Sequence, residues 1–170
     1  MKYTKFVAMI LTSTIAMFIM MYLNTYAFSH VWFSETRSYM ALYMGAVMAI
    51  IMLAFMLGMY TNKKLNMAIF ISAFVIFAGC LYLVRSQSTV SGTSYMKAMI
   101  PHHSIAILTS ERSNIEDVRV RELADGIIKA QRKEIKEMEW LIQDIADNGK
   151  VTTAEEAKLR PVPKFEGNLK

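Results

Sequence analysis

Three apolar stretches in the first half of the chain, residues 6–28, 38–60 and 67–84, constrain everything else about its fold. An α-helix needs about 20 apolar residues to cross a hydrocarbon core. The first two stretches meet that length, and the third, with 18 residues, comes close. None keeps the polar face expected of a helix in a soluble bundle. Tyr3, Tyr26, Trp32, Tyr39, Tyr60 and Tyr82 lie near their ends, where an interfacial aromatic belt belongs. The pattern predicts an all-α protein with a three-span membrane anchor over residues 1–85 and membrane lipid as its first partner.

The net charge of +5 has to be located before it is interpreted. Residues 1–85 hold Lys2, Lys5, Arg37, Lys63, Lys64 and Arg85 against Glu35 alone. Residues 86–170 hold 13 basic and 13 acidic side chains, so the aqueous part is balanced. A nucleic-acid footprint needs a basic patch there, and no nucleic-acid partner is expected. The basic excess instead sets topology. Lys2 and Lys5 precede the first span, and Lys63 and Lys64 separate the second from the third, so these sites share the Lys/Arg-rich cytoplasmic side. Three crossings from a cytoplasmic N-terminus leave the C-terminal part extracytoplasmic. A signal-peptide reading of the first span gives the same final side.

Eleven of the 15 methionines fall inside the spans, and Met40, Met44, Met48, Met52 and Met56 recur every four residues. Thioether sulfur suits Cu(I), but methionine is more commonly an adaptable apolar filler, and filler is the preferred reading here. Cys80, the single cysteine, lies within the third span as a small apolar residue.

Residues 86–93 are rich in Ser, Thr and Gly and read as a linker. A helical hairpin follows over 94–147. Its first helix spans about 94–112, with Pro101 marking a kink or a fresh start. Ser113 and Glu116 have capping-box spacing and predict a second helix from 114 to about 147. Asn148 and Gly149 supply a stop, and 148–170 is expected to be a mobile tail. Along the second helix, Ala124, Ile127, Ile128, Gln131, Ile135, Met138, Ile142 and Ile145 share one face. Gln131 is polar in that seam and Glu134 flanks it. Such residues often fix pairing register, and they also serve binding sites.

The first helix carries Met96, Met99, His102 and His103. Met99 lies three and four residues before the two histidines, so either pair can share a helix face. Imidazole and thioether together suit copper; a solvated or core-satisfied pair is the competing reading. His30, the remaining histidine, stands alone in the first loop and reads as a solvated residue.

These residues carry a resemblance. Met99-Ile100-Pro101-His102-His103, Ala106-Ile107, Glu122-Leu123-Ala124, Ile127-Ile128, Gln131, Glu134-Ile135, Met138 and Trp140-Leu141 resemble the bacterial family called domain of unknown function 305, in the ferritin-like grouping. The resemblance covers 95–141. It implies a secreted or membrane-attached helical module with links to copper, and here a multi-pass bacterial inner-membrane protein with a periplasmic domain. It also implies that His102, His103, Met99 and Met138 are the metal positions, with Gln131 and Glu134 facing them and Met96 a weaker ligand candidate. The chain has no methionine near Thr109, where the family often has one.

Two functions follow as expectations: a copper-binding module, with Cu(I) as the ion, or an assembly module whose hairpin pairs with a second copy as a four-helix bundle. No enzyme is expected. No His follows His103, so the second helix lacks the Glu-x-x-His of di-iron bundles, and neither a nucleophilic triad nor a phosphate loop is recognisable.

Overall fold

The computed structural model describes residues 2–169, and among them it is all-helical, with no strand. Six α-helices follow in order: α1 (Tyr3–Met20), α2 (Glu35–Phe55), α3 (Lys63–Ser86), α4 (Thr93–Arg112), α5 (Val118–Asn148) and α6 (Ala154–Leu159). The chain divides into two compact units, one from residues 1–23 and 35–91, the other from 24–34 and 92–170.

The first unit contains α1, α2 and α3, each long and apolar enough to cross a membrane. Leu11, Ile15, Phe55, Phe74 and Val75 are exposed on these helices, an outward face that suits lipid and not water. Inside, α2 presents Ala46, Ala49 and Leu53 to a cluster that includes Phe6 and Ala73. Small residues let helix backbones approach closely where no hydrophobic drive operates between lipid-bathed helices. At Gly45 a Cβ would run into the Thr14 side chain. Thr14 satisfies its own hydroxyl by donating to the Ile10 carbonyl at 2.8 Å.

A polar latch joins the helix ends on the Lys2/Lys64 side. Tyr3 donates to Asn66 Oδ1 at 2.7 Å, and Asn66 Nδ2 donates to the Tyr60 carbonyl at 2.7 Å. Asn62 caps α3 by accepting from the Lys64 and Leu65 amides. Met40, Met44, Met48, Met52 and Met56 are each half-buried, and Met52 and Met56 pack on the apolar cluster.

The helix limits differ from the apolar stretches. The first stretch extends to residue 28, but α1 ends at Met20, and residues from 24 onward belong to the second unit. The third, which is short by composition, becomes the longest of the three helices, α3, with 24 residues. Its extra length includes Lys63 and Lys64 at one end and Arg85 at the other.

In the second unit, α4 and α5 pack as a hairpin around Met96, Ile100, Ile107, Ile135, Met138 and Ile142. Ile100 and Ile107 are wholly buried, worth about 1.5–3 kcal/mol each in transfer terms. Pro101 is buried within a continuous α4 and starts no new helix. The Ser113 cap also falls elsewhere. Ser113 closes α4, its hydroxyl donating to the Thr109 carbonyl at 2.6 Å, while Asp117 caps α5 by accepting from the Arg119 amide at 2.9 Å. Asp117 lies immediately before the first helical residue, where a carboxylate satisfies an orphan N–H.

The segment expected to be a mobile tail carries the short helix α6 and several polar contacts. Thr153 and Glu156 form a capping box on α6. Arg160 donates to the Asn148 and Gly149 carbonyls and faces Asp144 at 3.0 Å. Further on, Lys136 donates to the Glu166 carbonyl at 2.9 Å. Its weak apolar period gave no sign of this, because polar contacts hold it.

Candidate functional site

The α4 and α5 helices bring several of the sequence-derived metal candidates together. His103 and Glu134 face each other across the hairpin, with Nε2 and Oε2 2.9 Å apart. The other ring nitrogen, Nδ1, lies 2.8 Å from the Met99 carbonyl one turn earlier. Both nitrogens face oxygen acceptors, and a neutral ring donates to only one of them. In the tautomer that donates to Glu134, the Nδ1 lone pair faces the Met99 carbonyl oxygen, and a metal at that nitrogen requires the ring to turn away from the carbonyl. A carboxylate on the far nitrogen is the usual way a metal-ligating histidine is oriented.

His102 is exposed beside it, the two rings meeting edge to face with centroids 6.2 Å apart. Met138 and Met96 lie inside the apolar cluster with Ile135 and Ile142, and half-buried Met99 packs against it. Gln131 is half-buried on the α5 seam. Among the described residues no group of three or more His, Cys, Asp or Glu side chains is gathered as a metal site. The donor types among these candidates are imidazole and thioether, the mixture that soft monovalent ions prefer.

A second polar centre in this unit was missed by sequence reasoning. His30 is not a solvated loop residue: it is half-buried, and its Nδ1 lies 2.9 Å from Ser104 Oγ on α4. Ser104 is fully buried and also accepts from the Tyr26 amide at 2.7 Å. Burial, and then the Arg132 charge, hold the His30 pKa below its ordinary value. Tyr26 donates to Glu111 at 3.2 Å, while Arg132 bonds both Tyr26 Oη and Glu111 and stacks over the Tyr26 ring. These residues are far apart in sequence and carry no local motif. The only available signal was the aromatic content of the stretch between the first two apolar helices, Tyr26 and Trp32.

Comparison with known proteins adds to this picture. Residues 87–164 match the model of a family described as a domain of unknown function (DUF305), so the segment similar to that family begins just after α3 and ends past α6. An uncharacterized protein of Acanthamoeba polyphaga mimivirus is 34% identical over 83 residues, covering 48% of this chain and 53% of that protein. The chain therefore spans about half the length of that relative. No solved structure matches.

Proposed function

We propose that the protein is a membrane-tethered metal-binding module that takes copper as Cu(I) on the extracytoplasmic side. The observation that carries this reading is the His103 arrangement: one nitrogen turned to Glu134 at 2.9 Å, with exposed His102 adjacent and Met99 one turn before. His102 and His103 would supply nitrogen, Met99 sulfur, and Glu134 would orient His103. The bound ion would supply a soft Lewis-acid and one-electron centre; this chain's residues supply affinity and selectivity. Met138 and Met96 support the same helix faces from within the core.

Topology supports the location. Loop 24–34 and the α4/α5 hairpin belong to one unit, and two crossings, α2 and α3, separate them in sequence. Both therefore lie on one side of a membrane. Lys2, Lys5, Lys63 and Lys64 take the other, cytoplasmic side. The test is a Cu(I) titration of the full chain in nanodiscs against a competing chelator, wild type beside His102→Ala/His103→Ala. Saturable binding lost in the double variant supports the reading; equal binding in both sinks it.

A second reading is favoured by one observation. Val120 and Leu123, three residues apart near the start of α5, are exposed on one face, and an unpartnered apolar pair suits pairing with a second copy as a ferritin-like four-helix bundle. Sedimentation of the nanodisc-free, detergent-solubilised chain would show a dimer that Leu123→Glu dissociates; a monomeric wild type would remove this reading.

A further inference from the structure

Beside the Tyr26–Arg132 cluster lies a cavity of about 300 Å³, at the lower end of the range typical of small-molecule sites. Its floor is apolar, from Ile107 and Ile135, and its rim carries His30, Arg132, Lys136 and Glu139. Arg132, Lys136 and Glu139 are spaced four and three residues apart on α5, which puts them on one helix face. Three segments distant in sequence enclose it: loop 24–34, the hairpin, and the tail through Asn168. None of these residues belongs to the His102/His103 site, so the inference is independent of the copper reading.

The rim keeps unused hydrogen-bonding groups of both kinds. Arg132 makes its bonds to Tyr26 and Glu111 through Nη2 alone, leaving N–H groups of the planar fork available. Ser104 Oγ accepts from the Tyr26 amide and lies 2.9 Å from His30 Nδ1; in the tautomer where Ser104 donates to Nδ1, Nε2–H remains as a donor. These are partners for an anion. Glu139, in contrast, is half-buried and has neither hydrogen bond nor ion pair within the described residues. Burial raises its pKa above the ordinary value, the expected response of a carboxylate that loses water without gaining a cation.

We infer that this cavity binds a small zwitterion of the α-amino-acid class, its carboxylate on Arg132 and His30 and its ammonium on Glu139, with an apolar side chain over Ile107 and Ile135. A simple anion would leave Glu139 unpaired and would face its charge; a simple cation would leave the Arg132 fork unused and repelled. A zwitterion satisfies both without adding net charge.

The experiment uses the full chain in nanodiscs and three matched probes followed by saturation-transfer NMR and calorimetry: L-leucine, 4-methylpentanoate, which lacks the ammonium, and 3-methylbutylamine, which lacks the carboxylate. L-leucine is expected to bind saturably and about tenfold or more tighter than either analogue, a difference of about 1.4 kcal/mol. Glu139→Gln should abolish the preference for L-leucine over 4-methylpentanoate, whose own affinity rises as the facing charge is removed. Removing an unpaired, partly desolvated carboxylate does not threaten the fold, and the wild-type comparison of the three probes stands without any variant. L-leucine binding no tighter than 4-methylpentanoate, or no saturable binding of any probe, overturns the assignment.

Discussion

His30 Nδ1 lies 2.9 Å from Ser104 Oγ, although 74 residues and two membrane-length helices separate them along the chain. The same hydroxyl takes the Tyr26 amide proton at 2.7 Å, so one buried serine fastens the loop between α1 and α2 to the hairpin. Ser104→Ala leaves a buried amide and an imidazole without their partner. A loss of about 1–3 kcal/mol is expected, measured by denaturant unfolding of the second unit with Trp32 and Trp140 fluorescence as the probe. An unchanged midpoint would show that the fastening contributes nothing.

The same contact makes loop docking pH-dependent. The docked His30 has a lowered pKa, so the undocked loop binds more protons below the ordinary histidine value of about 6.5. Docking is complete above that value and weakens as pH falls through it toward the depressed pKa. Arg132 on α5 adds to the cost of a charged ring, and Glu139 acts oppositely: its pKa, raised by burial, favours the docked state as pH falls toward about 4.5. Amide exchange of residues 24–34 should therefore accelerate between neutral pH and about pH 5.5, after correction for intrinsic rates. The acceleration should vanish in His30→Gln.

The hairpin core sets the stability of the second unit. Ile107→Ala at a fully buried position is expected to cost about 2–5 kcal/mol, the range for large-to-small core changes. Leu123→Ala, at an exposed position, should stay within about 0.5 kcal/mol in the monomer. Thermal unfolding followed by circular dichroism distinguishes them, and equal effects would contradict the packing described.

Topology gives a labelling prediction. With Cys80 replaced by Ala, single cysteines at Phe28 and Ser88 should react with an impermeant maleimide from outside the cell, and one at Lys64 only after lysis. Phe28 is almost fully exposed. Labelling of Lys64 from outside would invert the arrangement.

The three membrane-length helices were legible because length and apolar content are local properties that need no partner. Their limits were not: residues 24–28 continue the first apolar run, yet Tyr26 leaves it to pack on the hairpin core. The α4/α5 pair was legible from the seam through Ile128, Ile135, Met138 and Ile142. The cap at Asp117 was not, because Ser113–Glu116 offered an equally regular pattern four residues earlier. For the candidate metal residues, sequence put Met99, His102 and His103 on one helix and Glu134 near them, and geometry joined His103 to Glu134. His30, Ser104 and Arg132 stayed hidden because only tertiary packing makes neighbours of a loop, a helix midpoint and a second helix. Glu139 looked like one more surface charge until its missing partner was seen.

Glu134 orients His103, so Glu134→Ala should lower Cu(I) affinity by about 10–100-fold, the usual loss when a carboxylate behind a ligating histidine is removed. Competition against a chelator of known affinity measures it. An unchanged affinity would detach Glu134 from the site.

The most direct measurement is copper K-edge X-ray absorption on the Cu(I)-loaded full chain, wild type beside Met99→Ile. The wild type should show imidazole nitrogen and thioether sulfur together around the ion, with the sulfur contribution lost in Met99→Ile. Copper held by oxygen and nitrogen alone, or a sulfur signal unchanged by Met99→Ile, would contradict a site built on His102, His103 and Met99.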